Sequence, residues 1–177
     1  MKIFESLDKV SNEEMESKIL KKWKSEDILN KTIENRKNSK NFVFYDGPIY
    51  ANAKPGIHHV FAKTIKDSIC KYRTMKGNRV LRKIGLDTHG LPIEVNVEKK
   101  LGFKSKADIE KFGIENFCKE CNKETATNID IVKKVTDQMG QFIDMENPYI
   151  TCSNEFIESE WWLIKNIFDQ GLIYHGN

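Results

Sequence analysis

Two adjacent imidazoles, His58 and His59, close a loop that carries Gly47, Pro48, Pro55 and Gly56, and a helical pattern starts with them. A helix N-terminus offers unpaired backbone N–H groups, so imidazoles placed there suit the oxygens of a polyphosphate. Further along, Asp87 and His89 follow a second apolar run. A carboxylate in a cleft can hold a substrate ammonium, because low local dielectric strengthens the pairing and fixes orientation. Asp87 is expected to bind the cation, with His89 as part of the same wall. Cys118 and Cys121 form a lone CxxC with no second pair and no matching histidines, so no structural metal is expected.

Parallel strands separated by a helix would position these groups. Phe42, Val43, Phe44 and Tyr45 make a short run of strand formers that ends at Gly47-Pro48 and reads as a buried strand. The loop from Gly47 to Gly56 is excluded from helix by its prolines and glycines. Phe61, Ile65, Ile69 and Tyr72 then recur at helical spacing up to Gly77, and Arg79 to Ile84 reads as a second strand. Strand, helix and strand imply a parallel unit, whose ligand crevice lies beyond the carboxyl ends of the strands. Both loops should therefore face one site.

The flanking segments read mainly as helix. Ser11 and Glu14 form a capping box, and Met15, Ile19, Leu20, Trp23 and Ile28 extend an apolar stripe to about Leu29, after which IENRKNSKN loses apolar content. Pro92 starts a short helix that Gly102 closes, and Ser105 with Asp108 starts another. Ile114 to about Met139 is a longer helix with Phe117, Cys118, Cys121 and Ile129 as core contacts. NPYITCSNEF reads as a loop, and Ser153 or Asn154 caps a last helix in which Trp161 and Trp162 belong to a core or interface. The spaced cations from Lys63 to Lys83 read as a solvated face.

The 177 residues suffice for one well-buried core, with 39% hydrophobic and 31% charged residues. No apolar run spans a bilayer and no secretory start is present, so a cytoplasmic protein with reduced thiols and no membrane contact is expected. A net charge of +3 neither demands nor excludes tRNA.

The strings DGPIYAN, GIHH, TIKDSICKY, DTHGLPIE and VEKKLG, with weaker likeness through NPYIT and ESEWWLIKNIFDQGLIYHG, resemble the N-terminal part of isoleucyl-tRNA synthetases, which are class I aminoacyl-tRNA synthetases. The resemblance implies an α/β fold with a Rossmann-like parallel sheet of the HIGH-motif nucleotidyl transferase type, incomplete in this chain, with flanking helices. Residues 1–40 would be an N-terminal helical segment and residues 41–177 the first half of the catalytic domain. The family's HIGH motif grips ATP, and the aligned residues are Gly56, Ile57, His58 and His59. His59 matches the second histidine, Gly56 replaces the first, and His58 takes the glycine position, which leaves open which imidazole meets which phosphate. Asp87 matches the aspartate that holds the isoleucine amino group and Pro48 a residue of the amino-acid pocket. Tyr50, His89 and Gly90 complete the expected wall.

Ile49, Ala53 and Leu86 stand where the family usually has proline, glycine and tryptophan. The implied reaction joins isoleucine to ATP, accompanied by Mg2+, and then to tRNA(Ile). The KMSKS loop, the editing insertion and the anticodon-binding region lie outside these residues, so the chain reads as an N-terminal fragment. Its half sheet is expected to leave apolar surface open to self-association. The alternative is a truncated paralogue that binds an amino acid, a nucleotide or a partner without chemistry.

Overall fold

The computed structural model describes residues 11–176, so expectations for residues 1–10 lie outside the described residues. Four strands, β1 (Asn41–Tyr45), β2 (Ile49–Tyr50), β3 (Arg79–Asp87) and β4 (Asp144–Ile150), form one parallel sheet in which β3 pairs with each of the others. Lys83 and Leu86 meet β4 while Lys83 also meets Tyr45 and Leu86 also meets Ile49. Each strand has only two edges, so β1 and β2 must share one edge of β3, with β4 on the other. From Tyr45 to Ile49 the chain advances four residues while β3 advances three, from Lys83 to Leu86. The extra residue makes Asp46-Gly47-Pro48 a bulge that splits one strand into two.

Helix α3 (Ile57–Met75) connects the β2 side to β3, as expected, and Gly77 turns the chain at φ 92°. Its apolar stripe faces outward. Phe61, Ile65, Ile69 and Tyr72 are solvent-exposed, and the buried face holds Lys63, Asp67, Cys70 and Thr74. Polar partners explain this facing. The Lys63 Nζ lies 2.7 Å from Asp46 Oδ2, Asp67 Oδ1 accepts the Phe142 amide at 3.0 Å, and Arg82 donates to the Cys70 carbonyl and to Thr74. Lys63 and Arg82 are 5% and 4% exposed, which corrects their assignment to a solvated face. A buried charge survives only with such partners.

β1 is likewise not a fully buried strand, for Phe42 and Phe44 are half-buried while Val43 and Tyr45 face solvent. The core gathers Ile49, Ile84, Leu86, Val132 and Ile143 on one side of the sheet. The burial of each aliphatic side chain contributes about 1.5–3 kcal/mol.

Among the described residues two helices precede the sheet. α1 (Asn12–Ser25) starts at the expected Ser11–Glu14 capping box and stops before Asp27, which adopts φ 50°. α2 (Ile28–Glu34) ends two residues into IENRKNSKN, the stretch that loses apolar content. Trp23 packs edge-on to Phe142 at 4.7 Å, which anchors α1 beside β4.

α4 (Leu91–Leu101) closes at Gly102 as expected, and α5 (Lys106–Phe112) begins where the Asp108 carboxylate accepts the amides of Lys104 and Ser105. α6 (Ile114–Gln138) buries Phe117, Thr125, Asn128, Val132 and Thr136 and half-buries Ile129, whereas Cys118 is exposed.

Asp144–Ile150, most of which lies in or beside the stretch read as loop, is a strand. Asp144 accepts the amides of Glu146 and Asn147, which throws a turn out of the ladder between Asp144 and Tyr149. Pro148 is tolerated because β4 is an edge strand. Ser153 caps α7 (Asn154–Asp169), whose Trp161, Trp162 and Phe168 are exposed rather than buried.

Candidate active site

β2 exits beside β3, so the strand-end loops meet. Tyr50 is the register partner of Asp87, and its hydroxyl donates to the His89 carbonyl at 2.7 Å. The Ala51 amide donates to the Asp87 carbonyl at 2.8 Å. Two side-chain amides pin the loop from the helical side: Asn128 donates to the Ala51 carbonyl at 3.1 Å, and Asn96 donates to the Asn52 carbonyl at 2.7 Å. Gly90 holds φ 103° as α4 begins, and a Cβ there would lie 3.2 Å from the Tyr50 hydroxyl. Burial, then Asp87 and Glu94, raises the Tyr50 phenol above its ordinary value. Tyr50 therefore remains a donor at neutral pH.

Gly56, His58 and His59 form a second cluster, six residues past Tyr50 at the start of α3. The Gly56 amide donates to His59 Nδ1 at 3.0 Å, which puts the proton of the neutral ring on Nε2, free to donate outward. Burial, then His58 and Lys63, lowers the His59 value below the ordinary imidazole range and favours that neutral form. The two imidazole rings lie 3.9 Å apart. A Cβ on Gly56 would come within 2.8 Å of His58 Cε1, so the His58 ring occupies the space a side chain at position 56 would need. Gly56 has no side chain to cap the first turn of α3, and the His59 ring reaches back to the Gly56 amide instead.

Asp46 braces the loop between these clusters. It is 1% exposed and lies 2.7 Å from both Lys63 and Lys66, while its carbonyl accepts the Tyr149 hydroxyl. The Tyr149 ring lies over Gly85, where a Cβ would clash at 2.1 Å. Sequence reading missed Asp46, Tyr149 and Thr151. Of these only Asp46 carried a signal, as an acid at a strand end two turns from lysines in the next helix.

The structure thus joins Tyr50, Asp87, His89 and Gly90 by direct bonds and register. Gly56, His58 and His59 share the same end of the sheet without bonding to that group. Pro48 is exposed one residue before β2. A cleft of about 280 Å³ lies elsewhere, between Trp23, Asp27 and residues 140–147. Three of its four acids are engaged: Asp27 with Asn30, Asp137 with Lys24, and Asp144 with two backbone amides. The described residues include no cluster of three or more metal-ligating side chains. Burial, then Glu94 and Cys118, pushes the Cys121 thiol up to about 11.

The architecture is a parallel α/β sheet with a histidine-bearing helix start and an acid at the next strand end. The family of class I tRNA synthetases for I, L, M and V matches residues 18–177, and the chain belongs to it. Among curated relatives, an isoleucine–tRNA ligase of Clostridium kluyveri is 47% identical over 164 residues, 93% of this chain and 16% of that protein. One of Dehalococcoides mccartyi is 46% identical with the same coverage. The chain therefore spans about a sixth of these relatives' length. A solved LeuRS–tRNA–LeuAMS ternary complex from Agrobacterium radiobacter superposes with TM-score 0.66 at 22% identity, over 90% of this chain and 18% of that one, which shows the shared fold.

Proposed function

We propose that this chain is the ATP- and isoleucine-binding part of an isoleucine–tRNA ligase. The observation that carries the reading is the 47% identity to such a ligase across 93% of the chain. In the proposed reaction the isoleucine carboxylate attacks the α-phosphorus of ATP, pyrophosphate leaves, and a terminal ribose hydroxyl of tRNA(Ile) then takes the acyl group as AMP leaves. The nucleophile is already ionised, so the site's work is alignment and charge stabilisation rather than proton abstraction.

Asp87 holds the isoleucine ammonium, with Tyr50, His89, Gly90 and Pro48 shaping the surrounding wall. His59 donates from Nε2 to phosphate oxygen, and His58 stands beside it in the space left by Gly56. Mg2+ travels with the ATP phosphates, as is usual for an ion that keeps few protein ligands. The proposed division places an N-terminal helical segment before residue 41 and the catalytic half after it. A cytoplasmic setting fits, as no helix among the described residues is long and apolar enough to cross a membrane.

Exposed Phe61, Ile65, Ile69 and Tyr72 on α3 give the isolated chain an apolar face through which it self-associates. Sedimentation should show oligomers that Phe61→Glu with Ile69→Glu dissolves; persistence of the oligomers excludes that face. The activity itself is tested by isoleucine-dependent exchange of labelled pyrophosphate into ATP by the complete gene product. Asp87→Ala should abolish exchange while unfolding stays cooperative. Full exchange in that variant removes Asp87 from the site, and no isoleucine dependence in the parent overturns the assignment.

A further inference from the structure

Thr151, the residue that follows β4, is 6% exposed and meets four successive residues, Leu86 to His89, at and just beyond the end of β3. Its amide donates to the Leu86 carbonyl at 3.1 Å. Its hydroxyl accepts the Thr88 amide at 3.1 Å and pairs with His89 Nδ1 at 2.8 Å. The same oxygen lies 3.3 Å from Thr88 Oγ1 and 3.5 Å from Asp87 Oδ1. The Cys152 amide donates in turn to Thr88 Oγ1 at 3.1 Å, so β3 and β4 are laced in both directions.

The proton count of the hydroxyl orders these contacts. An oxygen of this kind has two lone pairs and one proton. The Thr88 amide takes one lone pair. If His89 Nδ1–H takes the other, the single proton is left for Thr88 Oγ1 or for Asp87, which as a carboxylate only accepts. At 3.5 Å that last contact is weak. The strength lies in the backbone: Leu86 and Thr88, the neighbours of Asp87, are both bonded to Thr151, while the Asp87 carbonyl is held by Ala51 from the opposite edge. Asp87 thus sits on a peptide fixed from both sides of β3.

We propose that Thr151 is a positioning residue for the amino-acid end of the site: it fixes the Asp87–His89 segment so that a substrate ammonium meets a preset carboxylate. The proposal rests on Asp87 as the ammonium partner. A preset group costs no reorganisation when substrate arrives, so the loss of the Thr151 hydroxyl should weaken isoleucine use and leave ATP use intact.

The test is the exchange assay on the complete gene product, with Michaelis constants for isoleucine and ATP measured separately. Thr151→Val replaces the hydroxyl by a methyl of similar size. It should raise the isoleucine KM roughly ten-fold and move the ATP KM by less than about two-fold, whereas Thr151→Ser should stay within about three-fold of the parent on both. Thr151→Ala serves where the valine variant does not fold. An unchanged isoleucine KM in Thr151→Val, or an equal rise in both constants, overturns the proposal. Asp87→Asn separates the two readings: if it too leaves the isoleucine KM unchanged, the ammonium assignment itself is wrong.

Discussion

Replacing Asp46 by Asn should destabilise the chain more than any substitution of the lysines it binds. Asp46 serves two cations, and the three side chains differ in exposure: 1% for Asp46, 6% for Lys63 and 36% for Lys66. Without the carboxylate, Lys63 keeps only uncharged acceptors in a buried position, Gln141 Oε1 at 3.4 Å and the new amide oxygen. Breaking a buried pair from one side costs about 3–5 kcal/mol. Discharging an ordinary amine at pH 7 costs about 4–5 kcal/mol, which caps the penalty.

Lys66→Met removes a partly solvated partner and should cost under about 1 kcal/mol. Lys63→Met leaves a one-to-one pair of Asp46 with Lys66 and should fall between the two. Urea unfolding followed by circular dichroism at 222 nm reads the difference. With a urea slope of about 2 kcal/mol/M, Asp46→Asn should lower the midpoint by about 1.5–2.5 M, and Lys66→Met by less than about 0.5 M. Equal shifts in the two variants would refute the view that Asp46 carries a buried charge balance.

The His59 ring should titrate below the ordinary imidazole value, since burial, His58 and Lys63 all disfavour its cation and protonated Nδ1 cannot accept the Gly56 amide. The folded chain then binds fewer protons than the unfolded one, so this contribution to stability is complete above about pH 6.5 and declines as pH falls through the folded midpoint. A His59 Cε1–H midpoint at or above the ordinary value in an NMR titration would contradict this. Gly85→Ala should cost about 1–3 kcal/mol in urea unfolding, because its methyl meets the Tyr149 ring; a cost below about 0.5 kcal/mol would show that the ring moves freely. Iodoacetamide at pH 7 should label exposed Cys118 and Cys152 well before Cys121, whose thiol burial holds protonated, and buried Cys70 last; mass spectrometry of timed samples gives the order.

Local chemistry carried most of the element order. The Ser11–Glu14 box, the Gly77 turn, the Gly102 stop and the Asp108 start depend on residues within one helical turn, so their letters suffice. The alternation of Arg79 to Ile84 marked β3, and its end placed Asp87 and His89 at the carboxyl edge of the sheet, whereas Tyr50 and Gly90 entered only through the family resemblance.

Long-range pairing decided the rest. Helical spacing reveals that α3 has two faces but not which turns inward, and ion pairs and hydrogen bonds to Asp46, Arg82 and the Phe142 amide turned the polar one in. β4 was hidden because Asp144 and Pro148 carry turn signals that only the free edge of β3 overrides. Thr151 had no distinguishing letter at all, since its partners at Leu86, Thr88 and His89 lie over sixty residues away in the chain. Sequence by itself determined where most of the helices and β3 begin and stop, because those choices are local. Tertiary structure alone decided which faces are buried and what holds Asp87, because a buried charge or hydroxyl is governed by partners that the chain brings from elsewhere.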